Sequence, residues 1–162
     1  MSNVSKATEL STEETNEINQ EVAHYSNKSA AAIEALKIVQ KHRRWVSDDN
    51  LKGIAKLLDM SADELDGVAT FYNLIYRQPV GKQVIHYCDS ISCWMLGSDQ
   101  ICQQLSDSLA IKVGETTVDG QYTLLPIVCL GDCDHAPVMM VGDTLHRNLT
   151  VTIIQKMFKH HG

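Results

Sequence analysis

No apolar run in this 162-residue chain approaches the roughly 20 residues needed to span a bilayer, so the sequence predicts no transmembrane helix. The first twenty residues, Met1 to Gln20, are polar and acidic. They lack the apolar centre of a signal peptide and the arginines of a transit peptide. The expected location is therefore a reducing cytoplasm, where disulfides are rare and clustered cysteines point to metal or redox chemistry. Positive charge is scarce in the second half. Between Gln83 and His146 the single base is Lys112, which excludes the basic face that nucleic-acid binding needs. The short run Lys41-His42-Arg43-Arg44 reads as a solvated helix end. There is no GxGxxG fingerprint for a dinucleotide, no C-x-x-C redox pair, no internal repeat and no low-complexity tract.

What is present divides in two. Residues 1–10 read as a disordered tail, residues 11–78 as a helical bundle, and residues 79–162 as a small mixed sheet with flanking helices, giving an α+β chain. Ser11 with Glu14, and Ser61 with Glu64, have the spacing of capping boxes that start helices. A second helix is expected from about Ser29 to Arg44, and Ser47 opens a third. Leu51, Ile54, Ala55 and Leu58 fall on one helical face, and Leu65, Val68, Ala69 and Tyr72 repeat that spacing. Phe71, Tyr72 and Tyr76 are candidate partner-facing anchors, and of these the helical spacing assigns Tyr72 to the core. Pro79-Val80-Gly81 ends the helical regime. Strands are predicted over 83–87, 122–128 and 138–141, a short partner strand over 144–146, and helices over 98–109 and 151–158.

The chemistry sits in the cysteines. Their frame is Cys88-x4-Cys93, then 35 residues, then Cys129-x3-Cys133. Each pair comes after a predicted strand, and adjacent strand ends can bring two such loops together. A cluster of two irons needs two thiolates per iron, so this pairing predicts a [2Fe–2S] cluster with all four as ligands. Gly97 and Gly131 supply backbone freedom beside each pair. Structural zinc also takes four cysteines, but through C-x2-C knuckles that are absent; it stands as the alternative, a zinc-stabilised interaction module. A Rieske centre would need two histidines, and Cys133-Asp134-His135 offers one. A set of inert buried thiols is the blandest reading. Cys102, inside the 98–109 helix, reads as a small apolar side chain against the sheet. His86 and His135 flank the cysteines, and Trp94 is a candidate shield or partner contact. Asp89, Asp132 and Asp134 lie beside the ligands with no base near in sequence, an arrangement expected to lower a cluster's potential.

Five segments carry a family resemblance: Gly67-Val68-Ala69-Thr70-Phe71-Tyr72, Pro79-Val80-Gly81-Lys82, His86-Tyr87-Cys88-Asp89-Ser90, Leu124-Leu125-Pro126 and Cys129-Leu130-Gly131-Asp132-Cys133-Asp134-His135-Ala136-Pro137. With them the chain resembles, over about residues 15–160, the [2Fe–2S] subunit family of the peripheral NADH-dehydrogenase arm of respiratory complex I, the NADH-quinone oxidoreductase of bacteria. The resemblance implies a thioredoxin-like ferredoxin domain after an N-terminal helical bundle. It implies Cys88, Cys93, Cys129 and Cys133 as ligands of one [2Fe–2S] cluster. It also implies docking beside a flavoprotein that binds FMN and NADH, within a complex peripheral to the cytoplasmic face of the inner membrane. Similar subunits serve NAD-reducing hydrogenases and NAD-dependent formate dehydrogenases. The expected role is one-electron transfer, with no general acid, base or nucleophile on this chain and no complete active site.

Overall fold

A computed structural model of the chain describes residues 9–159. Residues 1–8, most of the expected tail, lie outside them. The chain forms two compact units, Met1–Pro79 and Val80–Gly162, each with its own core.

The first unit is helical: α1 (Thr12–Val22), a 3-10 turn (Lys28–Ala31) running into α2 (Ala32–Arg43), α3 (Asp48–Leu57) and α4 (Ala62–Phe71). Both capping boxes form in full, with each serine hydroxyl accepting from the N3 amide and each glutamate reaching back to the cap amide. The leucine stripes bury as their spacing demands: Leu51, Ile54, Ala55 and Leu58 pack with Ile18, Leu36, Val39, Leu65 and Ala69. Arg77 ties the helices from outside, donating to Asp66 at 2.8 Å, to Asp48 at 2.6 Å and to the Val46 carbonyl. Among the described residues no helix is long and apolar enough to cross a membrane.

Two expectations need correction here. Tyr72 is not a core residue; it is 42% exposed. The helix stops at Phe71, and Tyr72 takes an extended backbone (φ −90°, ψ 109°), so the helical spacing that would have buried it no longer applies. The basic run at 41–44 is not simply solvated. Arg43 forks onto buried Glu14 at 2.6 and 2.7 Å, and His42 meets Glu17 at 2.9 Å, joining α2 to α1. Arg44 closes α2 in a left-handed conformation.

The second unit is a four-stranded sheet in the order β2-β1-β3-β4, made of β1 (Gln83–Cys88), β2 (Tyr122–Ile127), β3 (Met139–Val141) and β4 (Thr144–His146). β1 and β2 run parallel, with Cys88 opposite Ile127; β3 is antiparallel to both β1 and β4. A parallel pair needs a long crossover, and residues 89–121 supply it. That crossover holds α6 (Ser98–Leu109) and a one-turn helix, α5 (Ile91–Met95), which the x4 gap alone does not predict. α7 (Val151–Met157) closes the unit. Ile101, Leu105 and Leu109 of α6 and Ile154 of α7 pack with Ile85, Leu124 and Met139 of the sheet, and Tyr122 meets Phe158 edge to face at 5.4 Å.

Glu14 gives the first prediction. Burial alone would raise its pKa, but hydrogen bonds from Arg43 and the Ser11 amide hold it below the ordinary 4.5. Its contribution is complete above the unfolded-state value and is lost as pH falls through the folded one. Glu14→Gln should destabilise the chain by about 2 kcal/mol near neutral pH, less than a fully buried pair because Arg43 is partly exposed. In denaturant melts that difference should shrink as the solution is taken below pH 4.5.

Candidate functional site

The site lies along the edge formed by the C-terminal ends of β1 and β2, and strand direction explains why. β1 and β2 are parallel, so both end at the same edge. Cys88 is the last residue of β1, and Cys129 stands two residues beyond the end of β2. After Cys88 the chain turns straight into α5, whose single turn carries Cys93 back toward the sheet. This differs from the open loop expected for the x4 gap. After Cys129 the chain bends at Gly131 (φ +77°) and enters a 3-10 turn, Cys133–His135. Gly97 (φ +97°) makes the corner between α5 and α6. Both are left-handed positions that favour glycine, at the two places where the sequence predicts backbone freedom.

The four thiols converge as two pairs. Cys129 Sγ and Cys133 Sγ are 3.9 Å apart. Two ligands on one tetrahedral metal, each at about 2.3 Å, would stand about 3.8 Å apart. In the other pair, Cys88 and Cys93 are both buried beneath Val138, with Leu130, Ala136 and Leu145 packed around them. Burial pushes the Cys93 thiol up to about 11, and its neighbours Cys88 and Cys133 add to the rise. Contact with Cys129 pushes the Cys133 thiol up, with Cys88 contributing. Each pair therefore feels the other. Cys93 and Cys133 thus resist ionising, and positive charge placed among the sulfurs would offset that, which is the chemistry of a metal-binding donor set. Among the described residues no three or more His, Cys, Asp or Glu side chains stand grouped as ligands of one metal ion.

Backbone donors serve the sulfurs. The Gly131 N–H donates to Cys129 Sγ at 3.3 Å, and a backbone bond from Val138 acts on Cys93. Ser92 on α5 bonds Cys133, a link across the two cysteine segments that sequence reasoning missed. Its signal was weak, a serine one residue before a cysteine.

The other flagged residues fall differently. His86 is buried on β1, and burial lowers its pKa, so it is neutral near pH 7. His135 turns its Nδ1 to Asp132 at 2.7 Å rather than to a sulfur. Cys102 is half-buried in α6 and bonds Tyr87, apart from the other four. The expectation of acidic surroundings without a base is corrected at Asp132. Arg147, beyond β4, donates to its carboxylate, and His135 and Arg147 together hold that carboxyl below its usual range. Trp94, Met95, Leu96 and Ile91 form an exposed apolar patch on and beside α5.

The chain is similar to known proteins in sequence and in fold. A family model described as thioredoxin-like [2Fe-2S] ferredoxin matches residues 18–161. The chain is 47% identical over 156 residues to the E subunit of NADH-quinone oxidoreductase from Escherichia coli strain K12, covering 96% of this chain and 94% of that one. It is 43% identical over 150 residues to the protein of the same name from Pseudomonas aeruginosa, covering 93% and 90%. With the one from Buchnera aphidicola subsp. Acyrthosiphon pisum it shares 42% over 161 residues, covering 99% of each. Among solved structures it is similar to NAD+-reducing [NiFe]-hydrogenase in the H2-reduced and air-oxidized states, with TM-scores of 0.66 and 0.67. Both likenesses are at 21% identity and cover 80% of this chain but only 22% of the solved one, so they speak to the fold alone.

The burial difference between the pairs is directly testable. In metal-free, reduced protein, a thiol-alkylating reagent should label Cys129 and Cys133 well before Cys88 and Cys93, as read by peptide mass spectrometry. Equal labelling of all four would contradict the described packing.

Proposed function

The chain belongs to the thioredoxin-like [2Fe-2S] ferredoxin family, and from that premise we propose that it is the iron–sulfur subunit of respiratory NADH:quinone oxidoreductase, exchanging single electrons with the FMN of a partner flavoprotein. The observation that carries this reading is the convergence of Cys88, Cys93, Cys129 and Cys133 as two pairs at one sheet edge. In it all four would hold one [2Fe–2S] cluster. The high identity to NADH-quinone oxidoreductase chains along nearly their whole length supports the respiratory assignment. The solved hydrogenases share the fold, and a diaphorase module of such an enzyme, or of a formate dehydrogenase, is the second reading.

When bound, a cluster of this kind takes up and gives back one electron at a time. The chain's own residues do the holding. Cys88 and Cys93 are sunk beneath Val138, which keeps water from that side. Amide donors at Gly131 and Val138 offset the charge on the sulfurs. The second pair, Cys129 and Cys133, is exposed and faces outward. Hydride carries two electrons, and a flavin divides them into single steps. The sequence has no dinucleotide fingerprint, so FMN and NADH belong to the partner in this reading. No side chain here acts as acid, base or nucleophile.

Residues 79–162 are then the cluster-bearing domain and residues 11–78 a helical unit. The apolar patch of Ile91, Trp94, Met95 and Leu96 beside Cys93 is the proposed contact with the flavoprotein, since it exposes large apolar side chains next to the redox site. The complex would hold the chain at the cytoplasmic face of the inner membrane.

Two measurements test this. Protein purified without oxygen should contain two irons and two acid-labile sulfides, and show an EPR signal after dithionite. Ser replacement at any of the four positions should lower iron content, while Cys102→Ser should keep it. A colourless protein with one zinc would overturn the reading. In addition, Trp94→Asp with Met95→Asp should reduce co-purification of the flavoprotein at least tenfold, equal to about 1.4 kcal/mol of binding, with the chain's own absorption spectrum unchanged.

A further inference from the structure

A third strand also ends at the cysteine edge. β3 is antiparallel to β1, and β4 is antiparallel to β3, so β4 runs parallel to β1 and β2. The residue immediately after β4 is Arg147. The topology thus delivers to the cysteine edge a base that lies fourteen residues from Cys133 in sequence. Two backbone bonds hold the segment there independently of charge. Asn148 N–H donates to the His135 carbonyl at 2.8 Å, and Leu149 N–H donates to the Pro137 carbonyl at 3.0 Å. From this anchored position Arg147 Nε donates to Asp132, the residue between Gly131 and Cys133. The other carboxylate oxygen of Asp132 meets His135 Nδ1 at 2.7 Å. Asp132 is thereby clamped from both sides, inside the segment that carries Cys129 and Cys133.

We infer that Arg147 is a positioning and charge-compensating residue for the iron–sulfur site: it fixes the Cys129–Cys133 segment through Asp132 and cancels that carboxylate's field at the cluster. This rests on the reading of the four cysteines as cluster ligands. The physical reason is simple. Reduction adds one negative charge, so a carboxylate beside the ligands disfavours it and a guanidinium favours it. Held together, the two charges form a dipole with little net effect. Either one alone acts with its full sign.

The test is an anaerobic redox titration of the full chain with its cluster in place, monitored by visible absorption, with electrons supplied by dithionite. Arg147→Gln should shift the midpoint downward and Asp132→Asn should shift it upward. The double variant should return close to wild type, and Arg147→Lys, which keeps the charge, should stay there. A role in loop rigidity alone predicts something different, because loosening the same segment from either end moves both single variants in the same direction. Shifts of the same sign, or no shift in either, would overturn the inference. If Arg147→Gln sheds its metal, the double variant still decides: a midpoint below that of Asp132→Asn supports a contribution from Arg147, and an equal or higher one refutes it. A wild-type chain without two irons would defeat the cluster assignment itself, before any variant is compared.

Discussion

β1 and β2 pair in parallel, and the cysteine site follows from that direction. Parallel strands end at the same edge, so the segments leaving them meet there. In this chain each of those segments carries a cysteine pair. An antiparallel pairing of the same two strands would have sent Cys88 and Cys129 to opposite edges. The crossover that a parallel pair requires is not idle chain either. It contains α5, whose one turn returns Cys93 toward Cys88, and α6, whose Ile101, Leu105 and Leu109 cover the sheet. The hairpin of β3 and β4 repeats the logic by bringing Arg147 to the same edge.

Energetically the unit is divided between a dry side and a wet side. Cys88 and Cys93 are as buried as leucines and lie under Val138. Cys129 and Cys133 stay exposed, on a short segment shaped by Gly131 and held by Asp132. For a thiol, burial alone is unfavourable to ionisation, and so is a neighbouring thiolate. A donor set with both features gains from positive charge placed among the sulfurs. That gain joins metal binding to the folding of the edge. One pair is thus sealed from water and the other open to it.

Much of this was legible in the sequence, and the exceptions have physical causes. Capping boxes at Ser11 and Ser61, the stripe from Leu51 to Leu58 and the helix at 98–109 all rest on local rules, and the structure obeys them. The cysteine frame was readable because its spacing is itself local within each pair. Three features were not. α5 is a single turn in a stretch too short to show a period. Tyr72 kept the helical spacing on paper while the helix ended one residue earlier. The pairs Arg43–Glu14 and Arg147–Asp132 join residues far apart in sequence, and nothing in composition indicates which opposite charges will meet. For this reason the surroundings of Asp132 looked purely acidic until the strand order was known.

In the proposed reading these four cysteines bind two metal ions rather than one, and the ions are iron. X-ray absorption at the iron edge of the purified chain tests it most directly. A [2Fe–2S] cluster on these cysteines requires a shell of sulfur neighbours around iron together with a second iron at short distance. A sulfur shell with no iron neighbour, or zinc in place of iron, would contradict it.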